Sequence, residues 1–146
     1  ALARLAARGG LPGRFQQLGG TPPVILDVGH NPQAARWLAQ RLAAQPHTAV
    51  QAVYAAMGDK DVEGVAGALT DSISGWHLAP LSGPRGLEAG ALAERIGQVI
   101  PDDRIRVTAS VEQALASARQ ATGDAGCILV FGSFFTVSEA LETLEP

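Results

Sequence analysis

Short apolar runs alternate with longer segments of helical periodicity along this chain, and that alternation limits the possible folds more than any other feature. The runs fall at residues 24–28, 49–55, 76–81, 104–107 and 127–131, each the length of a strand buried on both faces. Between and after them, residues 32–45, 62–71, 88–98, 111–121 and 134–144 repeat apolar side chains at helical intervals. Start and stop signals agree with these boundaries. Asn31 before Pro32 is an N-cap with proline at the first helical position, and Ser110-Val111-Glu112-Gln113 is a capping box. Asp61 and Ser133 can cap in the same way, while Gly75 and Gly123 stand where helices should end. Parallel neighbours need crossover connections, so strand followed by helix predicts a mostly parallel sheet with helices on both faces. A further strand at 15–18, cut off from the next by Gly19-Gly20-Thr21-Pro22-Pro23, predicts an antiparallel edge. The expected fold is an α/β three-layer sandwich of about six strands.

At 146 residues and 47% hydrophobic, the sequence has the material for one domain with a substantial core. The net charge of −3 is spread over scattered residues of both signs, so no basic stripe points to nucleic acid or an anionic membrane. No apolar run approaches the roughly 18 residues of a membrane-spanning helix, and residues 1–10 lack the apolar core of a secretory signal. A soluble cytoplasmic protein, monomeric for want of any obvious oligomerisation surface, is the expectation. Residues 1–10, rich in Ala and Arg, read as the tail of a preceding helix or an interdomain linker, so residues 11–146 form the domain proper of something larger. Cys127 lies in "CILVF" and reads as a small buried side chain. Trp37 and Trp76 read as core or helix-packing aromatics.

Open parallel sheets bind ligands beyond the carboxyl ends of their strands, where loops lead into helix N-termini. Three such loops carry unusual polar content. In "DVGHNP", Asp27 ends a strand where a carboxylate can accept from a ribose diol, and His30 and Asn31 sit at a helix start that favours anions; simple capping by Asp27 and Asn31, with His30 in solvent, accounts for the same residues. In "MGDKDVEG", Lys60 offers a mobile cation between Asp59 and Asp61, or merely a solvated loop. In "FGSFFTV", Ser133 can donate to a ligand carboxylate or can serve as a plain N-cap. In "APLSGPRG", Arg85 faces a ligand or another domain, or lies in solvent on a structural turn.

Common signatures are missing. The first strand is not followed by Gly-x-Gly-x-x-Gly, the chain has no Gly-x-x-x-x-Gly-Lys-[Ser/Thr] P-loop, and no Gly-x-Ser-x-Gly elbow occurs. His30, His47 and His77 have no paired ligand spacing, so no metal site is expected from this chain alone.

Five ordered stretches, "LPGRF" at 11–15, "DVGHNP" at 27–32, "GDKD" at 58–61, "APLSGPRG" at 79–86 and "FGSFFTV" at 131–137, resemble the C-terminal domain of the folylpolyglutamate synthase family, including its bifunctional dihydrofolate synthase form, within the Mur ligase superfamily. The resemblance implies a Rossmann-like domain of an ATP-dependent ligase. Such an enzyme joins L-glutamate to dihydropteroate or a folate through an acyl phosphate, and it needs ATP and Mg2+. It implies a separate N-terminal P-loop domain that holds the triphosphate and the Mg2+ ligands, so this chain alone folds without catalysing. By the same resemblance, Arg14 reaches the ATP phosphates, Asp27 holds the ribose, and His30 and Asn31 complete the nucleotide side. Lys60 joins Arg14 as a catalytic residue and, with Ser133 and Phe134, places the incoming glutamate. The alternatives are a Mur peptidoglycan ligase, which the wording of "LPGRF" and "GSFFTV" disfavours, and a non-catalytic Rossmann-like module that binds a nucleotide or small anion.

Overall fold

The computed structural model describes residues 14–46 and 49–144. The expected linker at 1–10 and the start of "LPGRF" lie outside the described residues. Six strands form one sheet: β1 (Gln16–Leu18), β2 (Val24–Asp27), β3 (Val50–Tyr54), β4 (Gly75–Leu78), β5 (Ile105–Val107) and β6 (Cys127–Phe131). Among the described residues five α-helices join or follow them: α1 (Pro32–Ala43), α2 (Val62–Ala68), α3 (Ala89–Ile96), α4 (Val111–Ala121) and α5 (Phe134–Leu144). The strand order is β1-β2-β6-β3-β4-β5, antiparallel between β1 and β2 and parallel elsewhere.

Every residue of β2, β3 and β6 is buried, because α1, α2 and α3 cover one face of the sheet and α4 and α5 the other. Tyr54, Trp76 and Phe131 stack and tilt against one another inside the first layer, with Tyr54 and Phe131 centroids 4.5 Å apart. Cys127 is buried in the same layer, and burial pushes its thiol up to about 11, so it packs rather than reacts. Among the described residues no helix is long and apolar enough to cross a membrane.

Two local readings change. Gly75 opens β4 instead of closing a helix, since α2 ends at Ala68 and a turn fills the gap; its missing side chain leaves room for the Gln51 amide on the neighbouring strand. Trp76 is fully buried as expected, but Trp37 is 36% exposed. It sits on the outer side of α1, where Phe15 meets it edge-on and the guanidinium groups of Arg14 and Arg41 lie 5.0 and 5.6 Å from its ring centroid.

Candidate functional site

The chain passes from β2 to β3 and on to β5 before β6 returns to fill the place between β2 and β3. That return is a switch point, and it aligns Asp27, Phe131 and Tyr54 across the carboxyl edge of three adjacent strands. The loops after β2, β3 and β6 therefore converge, although they lie far apart in sequence. Between them lies a cleft of about 200 Å³ lined by Val28, His30, Met57, Lys60, Gly132, Ser133, Phe134 and Phe135. Four of the residues singled out in sequence, His30, Lys60, Ser133 and Phe134, share this cleft.

Each arrives there by local chemistry. Gly132 has φ +123, and a Cβ would run into the Ala55 carbonyl oxygen, so only glycine lets the chain turn this closely past β3. The turn delivers Ser133, whose Oγ accepts the Thr136 N–H at 3.1 Å and shares a 2.9 Å hydrogen bond with the Thr136 hydroxyl. Ser133 thus caps α5 while bordering the cleft, so its two sequence readings are compatible. Phe134 and Phe135 remain 48% and 61% exposed at its rim.

Asp27 is 1% exposed, and its two carboxylate oxygens accept the Phe15 N–H at 2.9 Å and the Gly29 N–H at 2.7 Å. Burial raises its pKa, against the lowering effect of those N–H groups and of Arg14. In this arrangement Asp27 fastens the start of β1 and the β2–α1 turn together. Its bond to Phe15, a residue at φ +46, holds the chain directly after Arg14 in a conformation that bulky side chains avoid. Asp27→Ala leaves two buried N–H groups without acceptors, and is expected to cost about 2–3 kcal/mol in a urea melt, with Asp27→Asn costing less. His30 is exposed on that turn, with Nδ1 3.4 Å from the Val28 oxygen. Asn31 is spent on capping, its Oδ1 accepting the Ala34 N–H at 2.8 Å. Arg14 is exposed and lies over Trp37.

Arg85 is exposed, and its guanidinium is engaged by a neighbouring loop. It pairs with Asp59 at 2.6 Å and holds that carboxylate below its usual range, while the Gly58 N–H donates to the Arg85 carbonyl. The "APLSGPRG" loop is thereby laced to the Lys60 loop. Sequence reasoning passed over a stronger link, the one from Arg95 to Glu63. These side chains meet at 2.8 and 2.9 Å, and Arg95 holds Glu63 down to about 2. Only the packing of α3 beside α2 joins them. Among the described residues no group of three or more His, Cys, Asp or Glu could hold a metal ion.

A cleft at the switch point of a mostly parallel sheet, bordered by helix starts, defines an α/β domain of Rossmann-like architecture, and the sequence model for the Mur ligase glutamate ligase domain matches residues 13–134. The chain belongs to that family. Within it, the chain is 40% identical over 136 residues to the dihydrofolate synthase/folylpolyglutamate synthase of Escherichia coli, a match that covers 92% of this chain and 31% of the relative. A crystal structure of a bifunctional folylpolyglutamate synthase/dihydrofolate synthase with Mn, AMPPNP and L-glutamate bound superposes with a TM-score of 0.83 at 40% identity, over 94% of this chain and 32% of the other. The folylpolyglutamate synthase of Mycobacterium tuberculosis complexed with ADP gives a TM-score of 0.86 at 29% identity, over 94% and 33%. The chain spans about a third of the length of the curated relatives it matches.

Proposed function

We propose that this chain is the C-terminal domain of a cytoplasmic, ATP-dependent ligase that joins L-glutamate to dihydropteroate or a reduced folate. The observation that carries the reading is that His30, Lys60, Ser133 and Phe134 share one cleft at the carboxyl edge of the sheet, in a domain similar to part of an enzyme solved with AMPPNP and L-glutamate bound. In this reading a P-loop domain elsewhere in the longer protein supplies the triphosphate site and the Mg2+ ligands; the chain covers about a third of the length of its relatives. The relatives' names favour a folate acceptor over a peptidoglycan precursor.

The reaction divides into two parts. The γ-phosphoryl group of ATP first passes to the acceptor's carboxylate, giving an acyl phosphate and ADP. The glutamate amine then attacks the acyl carbon, the amide bond forms, phosphate leaves and the amine gives up a proton. In this scheme Arg14 supplies positive charge to the phosphoryl group in transit. Asp27 acts on the nucleotide side by holding the turn that presents His30 and Asn31. The Lys60 ammonium and the Ser133 hydroxyl fix the glutamate carboxylates, and Phe134 helps to exclude water from the amine.

Hydrogen exchange on the full-length protein tests this division. A non-hydrolysable ATP analogue is expected to slow exchange at residues 14–15 and 28–31, and adding glutamate with the acceptor to slow it at 58–61 and 132–136. Unchanged exchange at all of these segments would remove the cleft from the reaction.

A further inference from the structure

The Lys60 loop contains a glycine and two aspartates, and by composition nothing in it resists motion. Within the loop the backbone makes only short turns, from the Lys60 N–H to the Met57 oxygen and from the Val62 N–H to the Lys60 oxygen. Beside its ties to Arg85, the loop is held from another helix. Arg95 on α3 reaches across and donates from one terminal nitrogen to the Gly58 carbonyl and from the other to the Lys60 carbonyl, each at 3.0 Å. Its Nε and the second terminal nitrogen meet the two Glu63 carboxylate oxygens at 2.9 and 2.8 Å. One planar guanidinium thus fixes the carbonyls of residues 58 and 60, while a carboxylate one turn into α2 fixes the guanidinium. About a third or less of each side chain is exposed, 29% for Arg95 and 33% for Glu63, in contrast to 68% and 50% for the Arg85–Asp59 pair on the same loop.

We propose that Arg95, held by Glu63, is a positioning residue for Lys60: by gripping the backbone on either side of Asp59 it fixes where the Lys60 ammonium stands in the cleft, and so sets the affinity for the incoming amino acid's carboxylate. The inference rests on the reading of Lys60 as a glutamate-binding residue. A lysine at position 95 has a single ammonium in place of a fork, and cannot hold both carbonyls and the carboxylate in the same geometry. The guanidinium contacts the loop's backbone and does not line the cleft, so its loss lets the ammonium wander without removing it.

Steady-state kinetics of the full-length protein, with glutamate and ATP varied separately, test the proposal through Lys60→Ala, Arg95→Ala, Arg95→Lys, Glu63→Gln and the Lys60→Ala/Arg95→Ala double variant. Arg95→Ala is expected to raise the glutamate KM about tenfold and leave the ATP KM within about twofold, with Arg95→Lys and Glu63→Gln intermediate. In the double variant the glutamate KM should match that of Lys60→Ala alone, because a lost ammonium has no position left to set. If Lys60→Ala raises the glutamate KM while the folded Arg95→Lys and Glu63→Gln proteins keep the wild-type value, or if the two alanine effects multiply, the positioning role is overturned and the reading of Lys60 stands. If Lys60→Ala itself leaves the glutamate KM unchanged, that reading fails and the proposal with it.

Discussion

Replacing Arg14 by alanine in the full-length protein is expected to lower turnover by roughly 10²–10³, the scale on which a positive group at a transferring phosphoryl acts. The structure separates this effect from a folding defect. Arg14 is exposed, and its described contact is with the outer face of Trp37, 5.0 Å from the ring centroid. Losing one exposed cation–ring contact should cost no more than about 0.5–1 kcal/mol of stability. Trp37 keeps its edge-on contact with Phe15 and the guanidinium of Arg41, so the surface cluster survives the change. The measurement is kcat at saturating substrates beside a denaturation curve. A folded Arg14→Ala protein that retains turnover within a few-fold of wild type would take Arg14 out of the chemistry.

A second large effect lies at the opposite edge of the sheet and concerns stability. His77 on β4 is 1% exposed, with Nε2 2.8 Å from Gln51 Oε1 and Nδ1 2.7 Å from Ser117 Oγ. A neutral imidazole satisfies both partners, donating from Nε2–H to the Gln51 oxygen and accepting from the serine hydroxyl. Burial first, and then the nearby Arg106, push its pKa down to about 4. The unfolded chain takes up this proton near pH 6.5, so the contribution of His77 to stability is complete above that value and is lost as pH falls toward 4. The loss should amount to about 3 kcal/mol. Asp27 and Glu139, whose pKa values are raised, act in the opposite sense near the acid end of this window. The difference between wild type and His77→Gln isolates the histidine: urea melts from pH 7 to pH 4 should converge as the pH falls. Parallel curves would mean that His77 takes up its proton at the same pH in the folded and unfolded states.

The order of strands and helices was legible because each element carries its own period and caps. Asn31 and Ser110 do cap α1 and α4, although Gln113 returns its hydrogen bond to the Ala109 N–H rather than to Ser110. The three polar loops were legible as strand ends. Their convergence was not, since it depends on β6 entering between β2 and β3, a pairing of distant segments that no local pattern encodes. The same limit explains the pairings that the sequence did not show. Arg85, Arg95 and Glu63 sit on surfaces whose sequence says only that they are polar, and their partners lie 26 and 32 residues away. Trp37 was misplaced because an aromatic on an amphipathic helix is ordinarily core, and its guanidinium partners come from a loop before β1 and from the next turn of α1. Asp27 shows how composition can suggest a ligand where the backbone comes first: a carboxylate at a strand end serves either, and here two N–H groups already occupy it.

The central claim is tested most directly by incubating the full-length protein with labelled L-glutamate, ATP and Mg2+, with dihydropteroate or tetrahydrofolate as acceptor, and measuring label in the acceptor. The account predicts incorporation that requires both ATP and a pterin acceptor and falls sharply in Lys60→Ala. Transfer of glutamate to neither acceptor by a folded, ATP-binding protein would contradict it.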